Sequence, residues 1–218
     1  MHLSVLYRTH TSPAPTGAPV TAAPTPPVVR RLASEPDQYG SVGIMNLPGD
    51  NPQYLTGTIS GANFGEGVAI SEDGSTVAVG SPGNNMVQVF RIFEGSWLQE
   101  GGDITKASLD LDADFGFRVG LSFDGNALAV AAPLAGVNGV GAIYVYDWDP
   151  SENDWDEGMA EAYGMSDGQK LGINGVVIDP TNLLLHAVGD LNDDRNSFEV
   201  CSFSFPYRIE RAFFGKRI

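Results

Sequence analysis

Residues 64–82 read FGEGVAISEDGSTVAVGSP, and residues 115–133 read FGFRVGLSFDGNALAVAAP. At a spacing of 51 residues the second stretch repeats the Phe-Gly pair (Phe64-Gly65, Phe115-Gly116) and the Ser-x-Asp-Gly set (Ser71, Asp73, Gly74; Ser122, Asp124, Gly125) of the first. It also repeats Ala-Val (Ala78-Val79, Ala129-Val130) and the small residue before proline (Ser81-Pro82, Ala132-Pro133). A fixed period of this size marks a repeat architecture, in which one supersecondary unit buries its apolar face against the next.

Each unit reads as short strands. Gly67 to Ser71 is a first strand, Asp73-Gly74 a hairpin turn that needs positive φ, and Thr76 to Ser81 the return. Pro82-Gly83-Asn84-Asn85 breaks the ladder, because proline cannot donate to it. Met86 to Phe93 is a third strand, with Val87 and Val89 on one face and Phe90 and Ile92 on the other; Trp97 to Ile104 is a weaker outer fourth. The second unit has the same order, with Val119 to Ser122, Ala127 to Ala132 and Ala142 to Tyr146 in the first three places.

A degenerate third copy spans 159–207, with Gly175 to Ile178, Leu183 to Val188 and Phe198 to Phe205 in the strand places and Asp179-Pro180-Thr181-Asn182 at the first turn. Upstream, Tyr39 to Met45 and Tyr54 to Ile59 are expected as outer strands of an incomplete unit over 39–60, ahead of the full repeats at 61–105 and 106–158. Four short strands per unit are the pattern of a β-propeller blade. The expected fold is therefore all-β, a partial β-propeller of about three four-stranded antiparallel blades. Phe64 and Phe115 are expected between neighbouring blades, with Gly65 and Gly116 allowing close backbone approach.

Composition bounds the rest. Seven of the 14 prolines lie in the first 36 residues, and the Thr/Ala/Pro-rich run Thr11 to Val29 has no apolar period, so 1–38 is expected to be a disordered tail. Residues 1–31 carry three Arg and no acid, and 208–218 form a basic, apolar tail with Phe213-Phe214 that does not read as a cap. The body between them holds 26 acids against five bases, a net −21 within the chain's −15. Such a field repels nucleic acid and anionic membranes and attracts cations or basic partners. Cys201 is the only cysteine, which excludes an intrachain disulfide or a cysteine-based zinc site. No apolar run approaches a membrane span, and Met1 to Thr11 is too short and broken for a signal-peptide core.

The Phe-Gly pair, the Asp-Gly turn, the Ala-Val-Gly-Ser-Pro strand end and Val-x-Val-Phe together resemble the FG-GAP repeat of the integrin α-subunit propeller. The resemblance is good over 61–158 and weak over 159–205. WD-type repeats share Ser-x-Asp-Gly but have a shorter period, and sialidase-type Asp boxes want an aromatic soon after the turn that is missing here. The resemblance implies a non-enzymatic binding or adhesion module, in an extracellular or cell-surface setting, presenting loops to a protein or carbohydrate. It also implies calcium in the turn between the first two strands. The positions concerned hold Ala69, Ser71 and Asp73, then Gly120, Ser122 and Asp124, one carboxylate per turn where calcium wants six to eight oxygens.

Strand alternation places the loops between strands 2 and 3 on one face with the interblade linkers, the face where integrin-type propellers engage ligands. The candidates there are Asn84, Asn85, Asp110, Asp112, Asp114, Asn138, Asp190, Asn192, Asp193 and Asp194. Asp110-x-Asp112-x-Asp114 alternates like a calcium loop but has Phe115 where a sharp-turning glycine is needed; it is the set expected to hold calcium if any does. On the opposite face, Asp147 to Glu157 surrounds Trp148 and Trp155 with acids, a hairpin tip or a contact for a basic partner. The competing class is a degenerate propeller from a hydrolase or lyase using surface carboxylates. Against it, His186 is the body's only histidine, and no nucleophile elbow, zinc-protease helix or phosphate loop is present. Three blades and a fragment fall short of the roughly four to eight that close a ring, so missing blades or a further chain are expected to complete it.

Overall fold

The computed structural model describes residues 28–32, 39–45, 52–110, 112–179, 184–191 and 194–204, and no α-helix occurs among them. The chain is all-β, a partial β-propeller built of four antiparallel meanders. The first blade is β1 (Val28–Leu32), β2 (Ser41–Met45) and β3 (Gln53–Thr56). The second is β4 (Val68–Ile70), β5 (Thr76–Ser81), β6 (Met86–Phe93) and β7 (Ser96–Gln99), with β8 (Ile104–Thr105) also paired to β6. The third is β9 (Arg118–Leu121), β10 (Ala127–Ala132), β11 (Ala142–Asp149) and β12 (Asp154–Tyr163). The fourth is β13 (Gly175–Asp179), β14 (Leu184–Leu191) and β15 (Asp194–Ser204).

Two boundaries differ from the sequence reading. The fold begins ahead of Tyr39, because β1 pairs in full register with β2, Arg30 opposite Gly43 and Val28 opposite Met45. β1 is also the strand of its sheet that meets β4, so the expected pair of outer strands is a three-stranded blade with an inner strand. The remaining tail positions, 1–27 and 33–38, the ending 208–218 and the turn residues Pro180, Thr181 and Asn182 lie outside the described residues. The outer strand expected over Trp97 to Ile104 is split into β7 and β8, which pair with opposite ends of β6. Gly101 lies in the break at φ +77, where a Cβ would meet Asp154, Trp155 and Trp148 of the third blade.

The pleat alternation of the inner strands makes three seams. Val77 and Val79 join Val42, Ile44 and Leu55 of the first blade around Phe64. Ala78, Val87 and Val89, on the other face of the second blade, join Val130, Tyr144 and Tyr146 around Phe115. Ala129, Ala131, Ile143 and Val145 join Val176, Leu185 and Ala187 around Leu171. Each plug is fully buried, Phe64 at 1% exposure, Phe115 and Leu171 at 0%.

The turn carrying each plug is the same three times. Asn63, Asp114 and Lys170 take left-handed φ of 56°, 57° and 49°, and the glycine after each plug has φ near 90° (Gly65 90°, Gly116 93°, Gly172 88°). Gly65, Gly116 and Gly172 donate to the carbonyls of Gly80, Ala131 and Val188 on the second strand of their own blades, at 2.9, 3.0 and 3.1 Å. The Phe-Gly repeat is thus a repeated backbone geometry, and Leu171-Gly172 belongs to it without the phenylalanine. At the second seam there is no room for a side chain on Gly80, whose Cβ would lie 1.9 Å from the Gly116 carbonyl oxygen.

Candidate functional site

The loops divide between two faces as alternation requires. On the linker face Gly83 donates to the Ala62 carbonyl and Leu134 to that of Ala113, from the loops between strands 2 and 3, and Asp190 near the end of β14 donates to that of Gln169, so each of these three blades is bonded there to the linker entering it. On the turn face the Ser-x-Asp-Gly turns sit side by side, Asp73 donating its amide to the Phe123 carbonyl at 3.4 Å.

Those turns use up their own carboxylates. Ser71 Oγ donates to Asp73 Oδ1 at 2.6 Å and accepts from the Thr76 amide at 3.0 Å; Ser122 Oγ does the same with Asp124 at 2.7 Å and Ala127 at 2.9 Å. The amides of Ser75 and Asn126 add to the same oxygens. Burial works to raise the Asp73 pKa, but the hydrogen bonds from Ser71 and Ser75 bring it below the ordinary value. The Ser122 hydroxyl does so for Asp124 against a smaller burial effect. A carboxylate so engaged fits a closed hairpin and not a cation shell.

The linker-face candidates separate into three kinds. Asn85 is a clamp: 8% exposed and left-handed (φ 47°), it donates Nδ2 to the Asp110 carbonyl at 2.9 Å and accepts from the Phe115 amide at 2.8 Å. In the third blade the Val140 carbonyl takes that second role, accepting from the Leu171 amide at 3.0 Å. Asn85 is therefore removed from the ligand set. Asn138 and Asp190 are half engaged: Asn138 Nδ2 donates to Asp167 at 3.0 Å, and Asp190 accepts from Asn174 Nδ2 at 2.8 Å. Asn84, Asp110 and Asp112 are exposed, and Asp114 is half-buried. Asn192 and Asp193 lie outside the described residues, while Asp194 opens β15.

Asp110, Asp112 and Asp114 do not converge. Among the described residues no three Asp, Glu, His or Cys side chains approach as a metal requires, so these residues do not fit the calcium expected of them. What gathers instead is repulsion. Burial, then Asp112, then Glu66 of the preceding linker raise the Asp114 pKa, and Arg118 pairs with Glu66 at 3.7 Å.

Two groupings escaped the sequence reading. Trp155 is 8% exposed, packs at a tilt of 58° against Trp148 with centroids 5.6 Å apart and donates Nε1 to the Glu100 carbonyl at 3.1 Å, while Asp154 accepts from the Gly102 amide at 2.9 Å. The tryptophans thus bind the outer strands of two blades together and are not an exposed contact surface. Farther along the same seam Lys106 bonds Glu157 and Glu161, the latter at 2.8 Å, with its ammonium 4.7 Å from the Tyr144 ring centroid. Tyr163 donates to Glu161 at 2.6 Å. The Lys106 hydrogen bond, then that of Tyr163, hold Glu161 below its ordinary pKa. Lys106 was the available signal, a lone base between Arg91 and Arg118 in an acidic stretch.

No protein-family model matches the chain, and no curated protein matches it by sequence. Among solved structures it is similar to hydrazine synthase of Kuenenia stuttgartiensis, with a TM-score of 0.51 and 18% identity over 75% of this chain and 40% of that one. A putative 6-phosphogluconolactonase from Bacteroides uniformis has a TM-score of 0.49 and 15% identity, covering 75% of this chain and 44% of that one. One from Bacteroides fragilis has 0.49 and 13%, covering 84% and 52%. The chain therefore spans about half or less of these proteins' lengths, and the likeness to hydrazine synthase is one of fold alone, that of a β-propeller-like protein.

Proposed function

We propose that this is an FG-GAP-like, non-enzymatic binding module of the adhesion type, whose linker face presents dispersed acids to a protein or carbohydrate, with a basic protein surface favoured. The observation that carries the reading is the run of three alternating acids Asp110, Asp112 and Asp114 on the linker face, the first two exposed and the third half-buried. These acids share one face and do not converge on a point, and burial, then Asp112, then Glu66 raise the Asp114 pKa. Separated carboxylates suit several ammonium or guanidinium groups spread over a partner, and give fast, salt-sensitive association.

The test is calorimetric titration with a lysine decamer, beside a set of neutral oligosaccharides, at low and physiological salt. Each exposed pairing is worth about 0.5 kcal/mol. The triple change Asp110→Asn, Asp112→Asn, Asp114→Asn should then cost roughly tenfold in affinity. Asp147→Asn, Asp149→Asn, Asp156→Asn on the opposite face should leave it unchanged. Equal losses from both triples would mean attraction to net charge alone and would end the proposal. Binding of an oligosaccharide but not the peptide would assign the face to the other partner class.

A further inference from the structure

The second and third blades open with Ala62-Asn63-Phe64-Gly65-Glu66-Gly67-Val68 and Ala113-Asp114-Phe115-Gly116-Phe117-Arg118-Val119. Every shared position has a structural task. The alanines are buried, at 3% and 2% exposure, and their carbonyls accept from the loop between strands 2 and 3. Phenylalanine plugs the seam, glycine makes the turn at φ near 90°, and Val68 and Val119 lie in the inner strand. The same pattern stands once more, as Ala212-Phe213-Phe214-Gly215-Lys216-Arg217-Ile218, with Arg217 in the place of Arg118. Its position fits too: Phe64 follows the last residue of the three-stranded first blade, Thr56, by eight residues, and Phe214 follows Ser204 of the three-stranded fourth by ten.

The fourth blade has the matching seat. Its inner face packs on the third blade through Val176, Ile178, Leu185, Ala187 and Cys201. Its outer face shows Val177, 53% exposed, beside His186, Val188, Val200 and Ser202, all half-buried. The two seams already formed say where a linker glycine lands on such a face. A Cβ on Gly116 would meet Gly80 and Val87, which are register partners across β5 and β6. One on Gly172 would meet Ala131 and Ile143, register partners across β10 and β11. The equivalent partners across β14 and β15 are Val188 and Val200. Charge favours the contact as well, since 208–218 holds four bases and one acid against an acidic body.

We infer that Ala212 to Ile218 docks on the outer face of the fourth blade as its interblade linker, Phe214 entering the seam and Gly215 lying over Val188 and Val200. The face is then the seat of the chain's own segment and not a free surface. One position departs from the pattern: Phe213 stands where Asn63 and Asp114 take left-handed φ, a conformation a bulky side chain resists. Phe213→Asn should therefore strengthen the docking.

Hydrogen exchange tests it, on the unaltered chain, on one ending at Arg211 and on Phe214→Ala. Docking as at the other two seams covers Val188 and Val200, so β14 and β15 amides should exchange on the order of tenfold faster after either change, with β5, β6, β10 and β11 unchanged. Phe213→Asn should slow them. Unchanged protection of β13 to β15 in both altered chains would overturn the inference, and so would equal acceleration in all the blades. Protection that rises with protein concentration would overturn it too, because it would assign the seat to a second copy.

Discussion

The aspartates of the repeat turns and those of the linker entering the third blade are the same residue type used in opposite ways. On the turn face Asp73 and Asp124 are each bonded to a serine hydroxyl and a backbone amide, and their pKa values fall. On the linker face Asp114 is half-buried with Asp112 and Glu66 nearby, and its pKa rises. The polar group committed there is the uncharged Asn85. The difference teaches that an acid in a repeat motif is no guide to a site until its partners are known: the recurring aspartates hold hairpins, and the less regular ones carry the available charge.

The sharpest way to break the contrast is at the plugs. Phe115 belongs to a cluster fed by two blades, and Phe115→Ala leaves a cavity between them that should cost about 3–5 kcal/mol. Ser122→Ala, on the turn face, removes a hydrogen-bond set within one hairpin and should cost about 1 kcal/mol. Urea melts of the two variants check this. Comparable losses would mean the seams carry no more than the turns.

Asn85→Ala is the intermediate case. It strips the Phe115 amide of its acceptor at a buried position, for an expected loss of about 1–3 kcal/mol. The linker should loosen with it. Faster hydrogen exchange at Phe115 and Gly116, with the Ser71 to Thr76 turn unchanged, is the expected pattern; uniform acceleration in both places would show that the faces are not independent.

The blades were legible because their signals are local and repeated. The bounds of β5, β6 and β10 can be read from Thr76, Ser81, Met86, Phe93, Ala127 and Ala132, since proline, Asp-Gly and alternation act within a few residues. β1 was hidden because Val28 to Leu32 follows a proline-rich run and is a strand only by pairing with Ser41 to Met45. The grouping of Lys106 with Glu157 and Glu161 needed a separation of more than 50 residues to close, which spacing does not reveal. Asn85 looked like a ligand for the same reason: its partners, Asp110 and Phe115, come from the next blade.

The smallest effect is the most pointed, because it puts one aspartate from each face on the same pH axis. The folded-state pKa of Asp124 lies below its unfolded value, so its contribution is present above an unfolded pKa of about 3.9 and is lost as pH falls through the folded one. Asp114 runs the other way. With a raised folded pKa, its ionised form costs stability at neutral pH, and the cost fades as pH falls through the folded value and is gone below the unfolded one. Asp114→Asn should therefore melt higher than the parent at neutral pH and converge with it in acid, with no backbone strain added, because Asn63 holds the same left-handed place in the preceding linker (φ 56° against 57°). Asp124→Asn should melt lower at neutral pH and converge in acid. Melting curves from acid to neutral pH read both at once, and a fall in stability from Asp114→Asn at neutral pH would show that its charge is matched by a partner and not held in reserve.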